Sequence, residues 1–204
     1  MFVAFSRRRA AALKGDRGAV AVEAAFIFPV LIFILFGIIE FSLVLRDHVA
    51  ITSAVRAGAR TASAEPRMST FDSDAAATVL RAGTGMPMST VQEVWIYEAT
   101  NEGYPLGTAA NSTTPFDTCT TNCVKYTYHA KTAGTAATLT KSSGTWLYTA
   151  VNACQGEVMT NVGIFLKAHH GFATGLAAIT LTDHAVMRFE PIPANQLAAG
   201  QSCK

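Results

Sequence analysis

The sequence predicts an α+β fold in which one long N-terminal helix, transmembrane in its first half and a spine in its second, packs on a small antiparallel sheet domain. Three observations predict it. An apolar run near the N-terminus is too long for an ordinary core helix, and an alanine-rich amphipathic stretch follows it with no proline before Pro66. The remainder holds short alternating segments separated by Gly, Thr, Ser and Pro.

Composition supports that division. Half of the 204 residues are hydrophobic and only 15% are charged, which excludes a disordered chain. The net charge is +2, but Arg7, Arg8, Arg9, Lys14 and Arg17 stand against Asp16 alone at the N-terminus. Everything after residue 18 is therefore net negative, which disfavours nucleic acid as a partner.

Ala24–Ile39 contains no charge, and beyond Glu40 the apolar character resumes to Leu45. These 22 residues span about 33 Å as a helix, enough for a hydrocarbon core of about 30 Å. The run is apolar on all sides, so membrane lipid is its surroundings. The basic excess upstream places the N-terminus in the cytoplasm and residues 46–204 outside it, with a single pass. A cleaved secretory signal would have a shorter core and a small-residue site beside it, yet Ala62-Ser63-Ala64 lies far downstream. Retention of the helix follows, and the chain divides into a basic leader (1–18), a transmembrane and spine helix (19–64) and an exported α+β domain (65–204).

The junction Asp16-Arg17-Gly18-Ala19-Val20-Ala21-Val22-Glu23 sets a glycine after basic residues and an acid just before the apolar run. A carboxylate near the end of a membrane helix needs a partner. Glu23 either caps the positive end of the helix dipole or pairs with a cation on another subunit. Glu40 lies 17 residues on, about 100° around the helix, so the two acids do not share a face. Glu40 reads equally as a helix-pairing contact or as an interfacial acid whose carboxylate snorkels to water.

The junction resembles a prepilin processing site, and the wider segment resembles TadE-like pseudopilins of the tight-adherence (Flp-type) pilus system. Arg17-Gly18, Val22-Glu23, Pro29, Gly37-Ile38-Ile39-Glu40-Phe41 and Ala54-Val55-Arg56-Ala57-Gly58-Ala59-Arg60 carry the likeness, over about a quarter of the chain. Ala24 departs from it, since many members place an aromatic after the acid. The resemblance implies a pilin-like architecture and cleavage by a prepilin peptidase between Gly18 and Ala19. The new amine on Ala19 of one subunit would then meet Glu23 of another, favouring register and stagger more than net stability. It also implies other pilin-like subunits and the pilus assembly machinery as partners, with roles in adhesion and secretion. The alternative is an uncleaved single-pass envelope protein whose exported domain binds a ligand or the cell wall.

The spine is expected to run as one helix from about Ala19 to Ser63, with Val49, Ile51, Val55 and Ala59 covering a sheet and Arg46, Arg56 and Arg60 facing outward. A short helix follows, capped by Asp72 or Ser73 and ended after Ala82 by Gly83 and Gly85. About four strands are predicted, at Val91–Glu98, Val124–His129, Val162–His169 and Ile179–Arg188, with loops at 100–118 and 131–145. Trp146–Ala153 suits strand or helix equally, and the tail from Pro191 is irregular.

Cys119, Cys123, Cys154 and Cys203 all follow the membrane segment, where an even number favours disulfides and admits three full pairings. Cys123–Cys154 is the preferred bridge, with Cys203 returning to Cys119 or joining another subunit. Without C-x-x-C or paired histidines, no metal site is expected. His48, His129, His169, His170 and His184 are scattered, and Asp183-His184 and His169-His170 read as solvated strand or turn. Trp95, Tyr97, Tyr126, Tyr128, Trp146 and Tyr148 read as packing residues. The chain carries no nucleophile, phosphate-loop or zinc-protease motif, so neither enzymatic activity, a cofactor nor a small-molecule substrate is expected.

Overall fold

A computed structural model describes residues 17–86, 90–109, 112–129, 138–173, 175 and 177–193. The chain divides into two compact units at Ser42/Leu43. The long helix α1, Arg17–Ala64, contributes its start to the first and its end to the second. It begins within the leader assigned from sequence and continues through Pro29. Up to Ser42 it shows apolar side chains all round, with Phe26 and Phe33 more than three-quarters exposed, as expected of a helix whose environment is lipid.

In the second unit, the rest of α1 lies with α2 (Phe71–Ala82) on one face of a five-stranded sheet. The strands are β1 (Val91–Ala99), β2 (Cys123–His129), β3 (Thr138–Thr145), β4 (Asn161–Gly171) and β5 (Ala178–Arg188). Their order is β3-β2-β1-β4-β5, every pair antiparallel. Ala50, Ile51, Ala54, Val55, Ala59 and Ala62 of α1 are buried at three- and four-residue spacing, the period of one helical face. They join Phe71, Ala75 and Val79 of α2 and the inward residues of the strands in one core. Val94 stands between Tyr126 and Leu166, and Ile96 between Val124 and Ile164, so the alternation of β1 sends both toward the helices.

The opposite face has its own smaller core. Trp95, Tyr97, Ala99, Cys123 and Phe165 are buried there, with Phe116 packed over them from the loop after β1. Phe116 stacks on Phe165 at 4.2 Å between ring centroids and meets Tyr97 and Trp95 edge-on. The described residues of the stretch 100–118 are mostly exposed, as expected of that loop, but its Phe116 turns in over these rings. Two glycines permit the close approaches: a Cβ at Gly58 would stand 2.5 Å from Val79, and one at Gly163 would collide with the Tyr97 ring.

Several expectations need correction. Thr138–Thr145, read as the end of a loop, is strand β3, paired with β2 from Cys123↔Thr145 to His129↔Thr138. It is polar because it is an edge strand held by backbone hydrogen bonds, with Leu139 packed against the core. Trp146–Ala153 is neither strand nor α-helix: it contains a single 3-10 turn, Tyr148–Ala150, flanked by buried Trp146 and Val151. Val49 does not cover the sheet but is 60% exposed, one position away from the buried stripe. Thr70 occupies the N-cap of α2 and makes no side-chain cap. Asp72 instead accepts hydrogen bonds from the Ser73 N–H at 2.9 Å and the Tyr126 hydroxyl at 3.1 Å.

The preferred disulfide was misplaced. Cys123, at the start of β2, is bonded to Cys119 in the turn before it, with their Cα atoms 5.3 Å apart, so neither Cys123–Cys154 nor a return of Cys203 to Cys119 forms. Cys154 is disulfide-bonded as well, beside its bridge to Ile192, and Cys203 lies outside the described residues.

Candidate functional site

Gly18 and Ala19 lie in the first turn of α1, both exposed, with nothing within 4 Å of a Cβ built at Gly18. A peptidase reaching this segment therefore meets no folded obstruction from the described residues. One turn on, Glu23 shares a helical face with Val20, Ala24, Ile27, Phe28 and Leu31, which line a shallow apolar groove of about 310 Å³. A carboxylate set in an apolar groove is costly in lipid without a cationic partner. Glu40, half-buried and 17 residues further, is not brought to Glu23. The two acids do not form one site.

The second unit fastens α1 to the sheet with polar groups that the sequence pattern did not reveal. Asp47 falls on the buried stripe, three residues before Ala50, and its Oδ2 lies 2.7 Å from Nδ1 of His170 at the end of β4. Both side chains are more than nine-tenths buried. The other oxygen, Oδ1, accepts from the Arg46 guanidinium at 2.9 Å. Five residues on, the Thr52 hydroxyl donates to Asp183 of β5 at 2.7 Å. His170 is therefore not a solvated turn residue; β4 alternation turns it inward while His169 faces solvent. The helical spacing of Asp47 to Ala50, Ile51 and Ala54 was the available signal. His184 lies outside, 5.1 Å from the Phe116 ring and 6.0 Å from that of Tyr104.

The charges of this unit follow their surroundings. Burial pushes the Tyr97 hydroxyl well above its ordinary pKa, with the nearby Tyr104 adding to the effect, and it donates to the Gly103 carbonyl at 2.9 Å. Burial likewise raises Tyr126, as do the charge and hydrogen bond of Asp72. For Glu93, burial works upward, but hydrogen bonds from Lys125 and Trp95 and the charges of Lys125 and Lys167 outweigh it, so its pKa falls. Burial and the charge of Asp74 raise Glu65.

Among the described residues no three His, Cys, Asp or Glu side chains are grouped to hold a metal, and the Cys119–Cys123 disulfide occupies both thiols of that pair. A polar cleft of about 380 Å³ is lined by Thr100, Asn101, Glu102, Gly103, His184 and Arg188 among others.

No curated protein and no solved structure matches the chain. A family model does match, described as TadE-like protein, over residues 18–60, about a fifth of the chain. That stretch starts at the glycine of the junction and ends in the helical turns lying on the sheet. Residues 18–60 are a TadE-like domain, which implies a pilus assembly component of structural rather than catalytic character.

Proposed function

We propose that the chain is a membrane-anchored pseudopilin of a tight-adherence pilus system, matured by a prepilin peptidase that cuts after Gly18. The N-terminus faces the cytoplasm and the sheet-bearing unit is exported. The observation that carries this reading is the coincidence of the TadE-like match with an exposed apolar helix that opens on an accessible glycine. Cutting there removes the basic leader and leaves the whole apolar helix in place. The Ala19 amine so created neutralises Glu23 of a neighbouring pilin-like subunit, a pairing that sets stagger.

N-terminal mass spectrometry of the protein from its native envelope tests the reading. The wild-type chain is expected to begin at Ala19, and Gly18→Leu to keep residues 1–18 because bulk blocks the cut. Glu23→Gln is expected to be processed yet to lose association with its neighbours. A wild-type chain beginning at residue 1 would instead favour an uncleaved envelope anchor.

A further inference from the structure

Packing on the sheet leaves one face of α1 outward in the second unit, and what distinguishes that face is the side chains it carries. Arg46, Val49, Ser53, Arg56 and Arg60 are all exposed and follow one another at spacings of three, four, three and four residues, which is the period of a helix–helix seam. Val49, Thr52, Ser53, Arg56, Ala57 and Arg60 line a groove of about 370 Å³ along it. Small side chains at 53 and 57 allow a second backbone to come close.

Charge identifies the occupant. Arg46 is held by Asp47, but Arg56 and Arg60 make neither an ion pair nor a side-chain hydrogen bond among the described residues. They lie one helical turn apart, where like charges repel, in a chain with few charges. We propose that this seam docks a helix of a different polypeptide, which presents two carboxylates three or four residues apart to Arg56 and Arg60.

A second copy does not fit. Among the described residues, α1 has only Glu23 and Glu40, far apart, besides the buried Asp47; α2 has the buried Asp72 and the half-buried Asp74 at a spacing of two. Lipid phosphate fits no better. Arg56 is 11 residues past Leu45, the end of the apolar run, or about 16 Å along the helix, beyond a headgroup layer of roughly 6 Å. The inference rests on the reading of the chain as an assembly component and adds the chemistry of one partner.

The test places the photocrosslinker p-benzoylphenylalanine at position 53 of the full chain, in the cells that naturally make it. The expected adduct is with a helix of another polypeptide, within one turn of a carboxylate pair spaced three or four residues. R56E with R60E is expected to cut its yield at least tenfold, R56K with R60K to retain most of it, and reversal of the partner's two carboxylates to lysine to restore it in the R56E/R60E background. An unchanged thermal melt excludes misfolding; should R56E/R60E unfold, R56Q/R60Q replaces it and is expected to give the same loss. An adduct with a second copy, with lipid or with a segment lacking the acidic pair overturns the seam, as does no adduct or a yield indifferent to charge. The N-terminus is read on the same sample: a chain cut at Ala19 that fails these tests sinks the seam alone, whereas an uncut chain sinks the pseudopilin reading.

Discussion

Gly163→Ala is a small change with a large expected effect. Gly163 stands opposite Tyr97 across the β1–β4 pair, and the tyrosine ring lies over the place a side chain would fill. A methyl group there would overlap Cζ and Cε2 and sit 2.7 Å from the hydroxyl oxygen, so the ring must retreat by about 1 Å to reach ordinary contact. The ring has little freedom to do so. Its hydroxyl donates to the Gly103 carbonyl, its edge meets Phe116 at 5.7 Å, and it is fully buried. Overfilling a packed site costs about 1–3 kcal/mol, and losing the hydrogen bond about 1 kcal/mol more. The less flexible unfolded chain returns about 0.5 kcal/mol. The net loss is about 2–3 kcal/mol, or roughly 4–10 °C in Tm for a domain of this size. Guanidinium unfolding of the detergent-solubilised chain, followed by tryptophan fluorescence, reads it directly, since Trp95 lies in the same small core. Gly171→Ala is the control, with nothing within 4 Å of its Cβ, and should change stability by less than about 0.5 kcal/mol. In a Tyr97→Ala background the penalty of Gly163→Ala should vanish. A loss below about 0.5 kcal/mol, or an equal loss with and without the tyrosine, refutes the reasoning.

Three further outcomes are expected. Asp47→Ala should destabilise the second unit by about 2–4 kcal/mol, because His170 loses its partner while still buried; Asp47→Asn, which keeps an acceptor, should lose less in the same melt. Cys119→Ser should lose about 2 kcal/mol, the loop-closure value for a bridge spanning four positions, and a non-reducing peptide map of the wild type should link Cys119 to Cys123 with Cys154 in neither peptide. Glu93 has a lowered pKa when folded, so its stabilisation is present above its unfolded value of about 4.3 and is lost as the pH falls through the folded one. Glu93→Gln should therefore flatten the acid limb of the stability–pH curve, and an unaltered limb would show that the Lys125 pair contributes nothing.

The elements that read clearly from sequence are those whose pattern has a single cause. A long uncharged run admits one structure in lipid, so α1 was legible almost to the residue; β1 and β4 were legible as short apolar runs, because a sheet with a core on each face buries consecutive residues, and β5 because its side chains alternate. Strand β3 was hidden because an edge strand needs only backbone partners, and its one inward apolar residue, Leu139, resembles loop chemistry. Phe116 was hidden for the opposite reason: a lone aromatic among Thr, Ser and Pro gives no period, and only the bare rings of Trp95 and Phe165 explain it. The Asp47–His170 pair joins residues 123 positions apart, which no local pattern encodes. Cysteine spacing failed because the bridge follows from a turn that brings Cys119 back upon β2 rather than from contact between distant segments.

The strand order carries a consequence for how the molecule comes into being. Strand β1 sits at the centre, yet its two neighbours come from well-separated parts of the later chain: β2 soon after it, β4 only from Asn161 onward. A chain emerging from its N-terminus thus completes α1, α2 and a three-stranded half-sheet while one side of β1 still lacks a mate. Only the closing β4–β5 hairpin supplies it, together with the residues that clasp Asp47 and Thr52. Until that late arrival the nascent protein is sticky along its middle strand, and a truncation before residue 161 should leave a fragment that seeks strands from elsewhere.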